Sequence, residues 1–209
     1  MSRILLLLLF SFPVFMSNTT GVESVAKIFK KEGYVITNTG EKLNGFLLLR
    51  RDKTYDEVKI KFIDHKGKKY TYKATAIKEF GFRDIQDDEA GNRVWKWNYY
   101  VSKTAESAPI PFGPKQVFME RISTGDVNLY QYWIQANKNI ENPYKREFYL
   151  ERGDEWIRLT EENYVEEGSA FFSDNQELAI QMGEVNHRFR HMKKVTNRYN
   201  SWVKNQESF

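Results

Sequence analysis

The stretch Lys59-Ile60-Lys61-Phe62-Ile63-Asp64-His65-Lys66-Gly67-Lys68-Lys69-Tyr70-Thr71-Tyr72-Lys73 decides the fold class. Ile60 and Phe62 alternate with Lys59 and Lys61, and Tyr70 and Tyr72 alternate with Lys69, Thr71 and Lys73, which is the period-two pattern of half-buried strands. His65-Lys66-Gly67 has the length of a three-residue hairpin loop, with Gly67 in the left-handed position of a G1 bulge. That loop sets a register: Phe62 faces Tyr70 and Ile60 faces Tyr72 on one side, while Lys61 faces Thr71 and Lys59 faces Lys73 on the other. Turn chemistry and alternation agree, so the segment reads as an antiparallel hairpin.

The same signals extend both ways. Gly33-Tyr34-Val35-Ile36-Thr37 is strand-like and ends at the turn residues Asn38-Thr39-Gly40-Glu41, after which Leu43, Gly45, Leu47 and Leu49 recur with period two. Ile77, Phe80 and Phe82 follow in a strand-like segment, then a polar loop or hairpin tip between Asp84 and Arg93. Val94 to Val101 is an aromatic strand that sets Trp95, Trp97 and Tyr99 on one face and Tyr100 on the other. Ser107 to Pro114 contains Pro109, Pro111 and Pro114 and reads as an irregular connection. Segments 115–122 and 127–134 read as strands joined across Ser123-Thr124-Gly125-Asp126, and 146–150 and 155–159 as a hairpin across Glu151-Arg152-Gly153-Asp154. After Thr160 the period changes. Ser173 can cap a helix starting at Asp174 that turns Leu178, Ala179 and Met182 inward and stops at Gly183. A second helix is predicted from about Val185 to Lys204, with Phe189, Met192, Val195 or Thr196, Tyr199 and Trp202 or Val203 forming a stripe that must dock. The expected fold is α+β: an antiparallel β-rich sheet or roll followed by two C-terminal helices. One domain is expected over 21–209, mainly β over 22–160 and mainly helical over 161–209.

Composition bounds the function. At ~150 residues per domain, 209 residues make one large domain or two small ones. A hydrophobic fraction of 41% with 15% aromatics excludes a disordered chain, and 29% charged residues exclude a polytopic membrane protein. The absence of Cys removes disulfides, thiol nucleophiles, Cys-based zinc fingers and iron–sulfur ligation together. Charge is segregated: residues 27–73 hold 13 Lys and Arg against 6 Asp and Glu, and residues 147–177 hold 2 against 10.

The N-terminus has the order of a secretory signal: a basic Met1-Ser2-Arg3, an apolar run from Ile4 to Met16 broken by Ser11, and a polar end at Ser17-Asn18-Thr19-Thr20-Gly21. The run is about 13 residues, short of the ~20 that span a bilayer. Residues 1–20 are therefore expected to be a signal peptide, and the mature chain to be periplasmic or secreted with no transmembrane segment.

Gly33-Tyr34-Val35-Ile36-Thr37-Asn38-Thr39-Gly40-Glu41-Lys42-Leu43-Asn44-Gly45 resembles the opening of small exported proteins of Bacteroidota-type bacteria. Ile77-Lys78-Glu79-Phe80-Gly81-Phe82, Gly125-Asp126-Val127-Asn128-Leu129-Tyr130, Phe172-Ser173-Asp174-Asn175-Gln176-Glu177-Leu178-Ala179 and Arg198-Tyr199-Asn200 resemble that group in the same order. Members often carry Asp-Thr where this chain has Glu41-Lys42, and a Cys where it has Asn175. The group has no assigned activity. The resemblance implies export and a bacterial envelope setting and supplies no catalytic residue.

The chemistry-bearing residues are few. His187 and His191 stand four apart on a predicted helix, but Arg188 occupies the place of a general base and Arg190 adds a cation that would repel a metal. Asp84, Asp87, Asp88 and Glu89 could hold calcium through oxygens, yet the Gly and Glu of an EF-hand loop are missing, so a solvated loop is the default. Glu161, Glu162, Glu166 and Glu167 fit the exposed face and first turn of a short helix better than a glycosidase pair. No Gly-x-Ser-x-Gly elbow, Walker loop or dinucleotide fingerprint occurs. No catalytic residue, metal ligand or cofactor is assigned. Trp95, Trp97 and Tyr99 either stack sugar rings or form core, and Lys59, Lys61 and Lys73 either bind an anionic polymer or are a solvated strand face.

The sequence thus points to an exported binding or structural module at the envelope, with a secreted glycan or peptide hydrolase as the alternative. The partner would be an envelope component (glycan, lipopolysaccharide or protein), and export argues against nucleic acid. Protein recovered from a bacterial host is expected to begin between residues 17 and 22; N-terminal sequencing checks this, and an intact Met1 in the membrane fraction would refute it.

Overall fold

The computed structural model describes residues 28–50, 58–88, 90–106, 115–135 and 144–208. The expected signal peptide, the Pro-rich connection and Glu89 lie outside the described residues. Ten strands form one antiparallel sheet: β1 (Ile28–Thr37), β2 (Lys42–Arg50), β3 (Lys59–Asp64), β4 (Lys69–Lys73), β5 (Ile77–Asp87), β6 (Arg93–Ala105), β7 (Lys115–Ser123), β8 (Asn128–Gln135), β9 (Tyr144–Arg152) and β10 (Glu155–Leu159). Helices α1 (Tyr164–Phe171), α2 (Gln176–Gln181) and α3 (Met192–Gln206) follow, with short 3-10 turns at Val185–His187 and Phe189–His191. No helix among the described residues is long and apolar enough to cross a membrane.

The hairpin register is the one expected. Phe62 lies opposite Tyr70, Ile60 opposite Tyr72, Lys61 opposite Thr71 and Lys59 opposite Lys73. Gly67 has φ +83°, its N–H donates to the Asp64 carbonyl at 3.0 Å, and the Asp64 N–H closes the loop onto Lys68 at 3.1 Å. The Asp64 carboxylate also accepts the N–H groups of Lys66 and Lys68, both at 2.9 Å.

Strand order is β10-β9-β8-β7-β6-β5-β1-β2-β3-β4, two meanders joined where β5 returns to the free side of β1. Gly33 pairs with Gly45 across β1 and β2. A Cβ on Gly33 would stand 2.2 Å from the Gly81 carbonyl oxygen, and one on Gly45 2.2 Å from that of Ile63, so the missing side chains let the ladder coil tightly here. Coiled this way, one face of β1–β7 encloses a core of Val35, Leu47, Phe62, Phe80, Phe82 and Phe118. Ser102 of β6 donates to the carbonyl of Ala74 just past β4, tying the far edge back over this core.

On β8–β10 the same face is covered by helices. Leu129, Phe148, Leu150 and Leu159 pack with Phe171, Phe172, Leu178, Phe189, Met192, Val195 and Tyr199. The helical stripe docks as its periodicity predicts. Two boundaries differ. Asn175, not Ser173, caps α2 by accepting from the Leu178 N–H at 3.0 Å, so the helix begins later. The segment expected as one helix from Val185 is interrupted at Arg188, whose ψ of 159° is extended, and continuous helix starts at Met192.

Gly67→Val is expected to destabilise by about 1–2 kcal/mol, since a β-branched residue fits poorly at positive φ, and Gly67→Ala by less. Denaturant midpoints of the two variants check this; unchanged midpoints would mean that the loop tolerates a Cβ.

Candidate functional site

Alternation along β6 fixes its two faces. Tyr100, 3% exposed, points into the roll and stacks on Phe80 at 4.8 Å and on Phe82 at 5.8 Å. Trp95, Trp97 and Tyr99 point the other way, and they are not core: Trp95 is 60% exposed and Trp97 41%. Trp97 and Tyr99 lie near-parallel with centroids 6.3 Å apart. Beside them on β5, Ile85 opposite Trp95 is also exposed, and Arg83 opposite Trp97 sets its guanidinium 5.4 Å from the Trp95 ring.

Neighbouring strands complete the face. Tyr34 of β1 lies opposite Gly81, and its ring sits 5.7 Å from Trp97. Its hydroxyl donates to Glu79, whose other oxygen pairs with Arg121 of β7 at 3.2 Å. Arg121 in turn stands 5.3 Å over Tyr99, and Lys42 4.2 Å over Tyr34. Burial, then the hydrogen bond to Glu79, push the Tyr34 hydroxyl pKa up, so it stays a donor. Farther along the same face Glu151 accepts from Lys103, Tyr130 and Asn128. Burial works against that carboxylate, but these donors outweigh it and hold its pKa below the usual range.

Lys59, Lys61 and Lys73 are exposed on the outer side of β3 and β4, on the same sheet face as the aromatic strip. Strands β2, β1 and β5 lie between the two groups, so the structure does not bring the lysines into contact with Trp95. It brings Arg83, Tyr34, Lys42 and Arg121 there instead. The sequence signal for these four is only their outward parity on their own strands, which becomes informative once β1 is known to lie beside β5.

The other sequence candidates have structural partners. His187 and His191 sit on separate 3-10 turns rather than on one helix face. His187 is buried with Nε2 3.2 Å from Arg198 Nη1, and burial followed by that cation lowers its pKa. Among the described residues no group of three His, Asp or Glu gathers as a metal site. Asp88 caps its own turn, accepting from Ala90 and Asn92 N–H at 3.0 and 2.8 Å, and Asp84 is paired with Lys31. Glu147 binds Arg158, and Glu155 binds Arg152 at 3.1 Å. A cleft of about 460 Å³ opens between Asp126, Arg152, Asp174, Tyr199, Trp202 and Glu207. Its polar groups hold the fold together: Arg152 donates to Asp174 at 3.1 Å, to the Tyr199 hydroxyl at 2.7 Å and to the Phe171 carbonyl at 2.8 Å.

No protein-family model matches this chain, and neither does any curated protein or solved structure.

The cleft yields a pH prediction. Burial, then donation to Asp174, push the Tyr199 hydroxyl up to about 12. A folded-state value above the unfolded one, ~10, stabilises the fold below pH 10, and that stabilisation is lost as pH rises to about 12. Urea midpoints measured across that window are expected to fall, and to fall less steeply in Tyr199→Phe; equal slopes would overturn the assignment.

Proposed function

We propose that the protein is an exported, envelope-associated module that binds a glycan on the open face of β6 and performs no catalysis. The observation that carries this reading is the exposure of Trp95 and Trp97 on a strand whose other face is buried. Large rings contribute most to stability when buried, so two of them left beside exposed Ile85 form a contiguous patch of the kind that marks a contact surface. Ring faces suit the C–H face of a pyranose, and the indole N–H can donate to a hydroxyl at the ring edge. The basic, apolar and polar order of the first 21 residues supports export, as does the resemblance to small exported proteins. The hydrolase alternative has less support, because Glu147, Glu151 and Glu155 are each engaged by a cation.

Trp95→Ala and Trp97→Ala are each expected to weaken glycan binding by up to about tenfold, the scale of one aromatic contact. Their melting temperatures should stay close to the parent's, because neither ring is core. Calorimetric titration against a panel of soluble polysaccharides checks both points. Undiminished binding in the double variant would remove the reading.

A further inference from the structure

We infer that the glycan is an acidic polysaccharide lying across the strands, its sugars on Trp95 and Trp97 and its carboxylates or sulfates on the basic rows of β5, β1, β2, β3 and β4. The inference rests on the proposed glycan-binding role and deepens it. Parity and register put Lys30, Lys42, Lys61, Lys69, Lys73 and Arg83 on the same sheet face as the Trp95 strip. The acids sharing that face among the described residues of β1–β6 are Glu32, Glu79 and Asp87, and Glu79 is already paired with Arg121. The face is therefore strongly cationic. Three of its aromatics carry a cation, Arg83 on Trp95 at 5.4 Å, Lys30 on Phe46 at 3.9 Å and Lys42 on the buried Tyr34 at 4.2 Å.

A neutral sugar gains only ordinary hydrogen bonds from its hydroxyls to a neighbouring cation. A uronate or sulfated sugar gains twice, by stacking its ring and by placing its anion on the neighbouring ammonium or guanidinium. The direction of the ligand follows from the strand order. Cross-strand rows run Trp97–Arg83, then Glu32–Phe46–Ile63–Lys69 and Lys30–Leu48–Lys61–Thr71, roughly perpendicular to the strands. From β6 to β3 is four interstrand steps of ~4.8 Å, so about 20 Å along the sheet. A single sugar cannot use both ends, whereas a chain of several can.

The test titrates the purified protein with polygalacturonate and with a neutral glucan of similar length, at low and high salt. Polygalacturonate is expected to bind at least tenfold more tightly than the glucan at low salt and to lose that advantage at high salt, where the Debye length shrinks. Lys61→Glu with Lys73→Glu should weaken polygalacturonate binding at least tenfold, leave glucan binding unchanged and leave the melting temperature near the parent's. Trp95→Ala should weaken both. Equal, salt-insensitive binding of the two polymers would overturn the acidic assignment and leave the glycan role standing. Binding of neither polymer, with binding instead to phosphatidylglycerol vesicles or to oligo(dT), would overturn the inference and the glycan role together.

Discussion

Backbone hydrogen bonds hold ten antiparallel strands side by side, but they do nothing to keep water off the faces, and the continuous apolar face of this sheet is the constraint that the rest of the structure answers. On that face Phe62, Phe80, Phe118, Leu129, Phe148 and Leu150 are almost or fully buried. Each such side chain is worth about 1.5–3 kcal/mol when removed from water. The first half of the sheet meets the constraint by coiling, which the Gly33–Gly45 contact permits and the Ser102 bond to Ala74 secures. The second half is covered by helices. A 15-residue helix with the charge of α3 is marginal alone, so its stability comes from docking Met192, Val195 and Tyr199.

Two consecutive residues fasten that helix. The Asn200 amide accepts from the Val127 N–H at 2.8 Å and donates to the Val127 carbonyl at 2.9 Å, standing in for a strand partner at the β7–β8 turn. Gly125 allows the approach, because a Cβ there would lie 2.5 Å from the Asn200 amide. Tyr199 bonds Asp174 and Arg152, linking α3 to the start of α2 and to β9. The segments Gly125 to Val127, Phe172 to Asn175 and Arg198 to Asn200 look unrelated along the chain, yet here they form one clasp. Each of the three relies on the other two to hold the helices over the sheet. That gives the polar residues around the open cleft a structural role.

What was legible in the sequence was what is local. The β3–β4 register follows from loop length and alternation, which act over a few residues. The position of β5 beside β1 does not, because the pairing of Val35 with Phe80 spans the whole first meander. Helix starts depend on tertiary contacts for a related reason. Ser173 and Asn175 are both good caps, and the choice was made by where α1 ends at Phe171, a tertiary fact. At the candidate site, alternation placed Trp95, Trp97 and Tyr99 on one side of β6 but could not reveal whether anything covered that side. Arg83, Lys42 and Arg121 were invisible as site residues because strand order alone assembles them.

Charge segregation has its meaning in the same strand order. The basic block of residues 27–73 makes up β1–β4 at one end of the sheet, and the acidic block of 147–177 makes up β9, β10, α1 and α2 at the other. Part of the acidic charge is paired, Glu147 with Arg158, Glu151 with Lys103, Asp174 with Arg152 and Glu177 with Arg198, two of these cations coming from β6 and α3. Exposed pairs contribute only about 0–1 kcal/mol each, so stability does not require the two blocks to be kept apart. Keeping them apart leaves β1–β4 the more positive end of the sheet. The aromatic strip of β6 lies midway between the two blocks, with the exposed rings of Trp97 and Trp95 on the sheet face that carries the lysine rows.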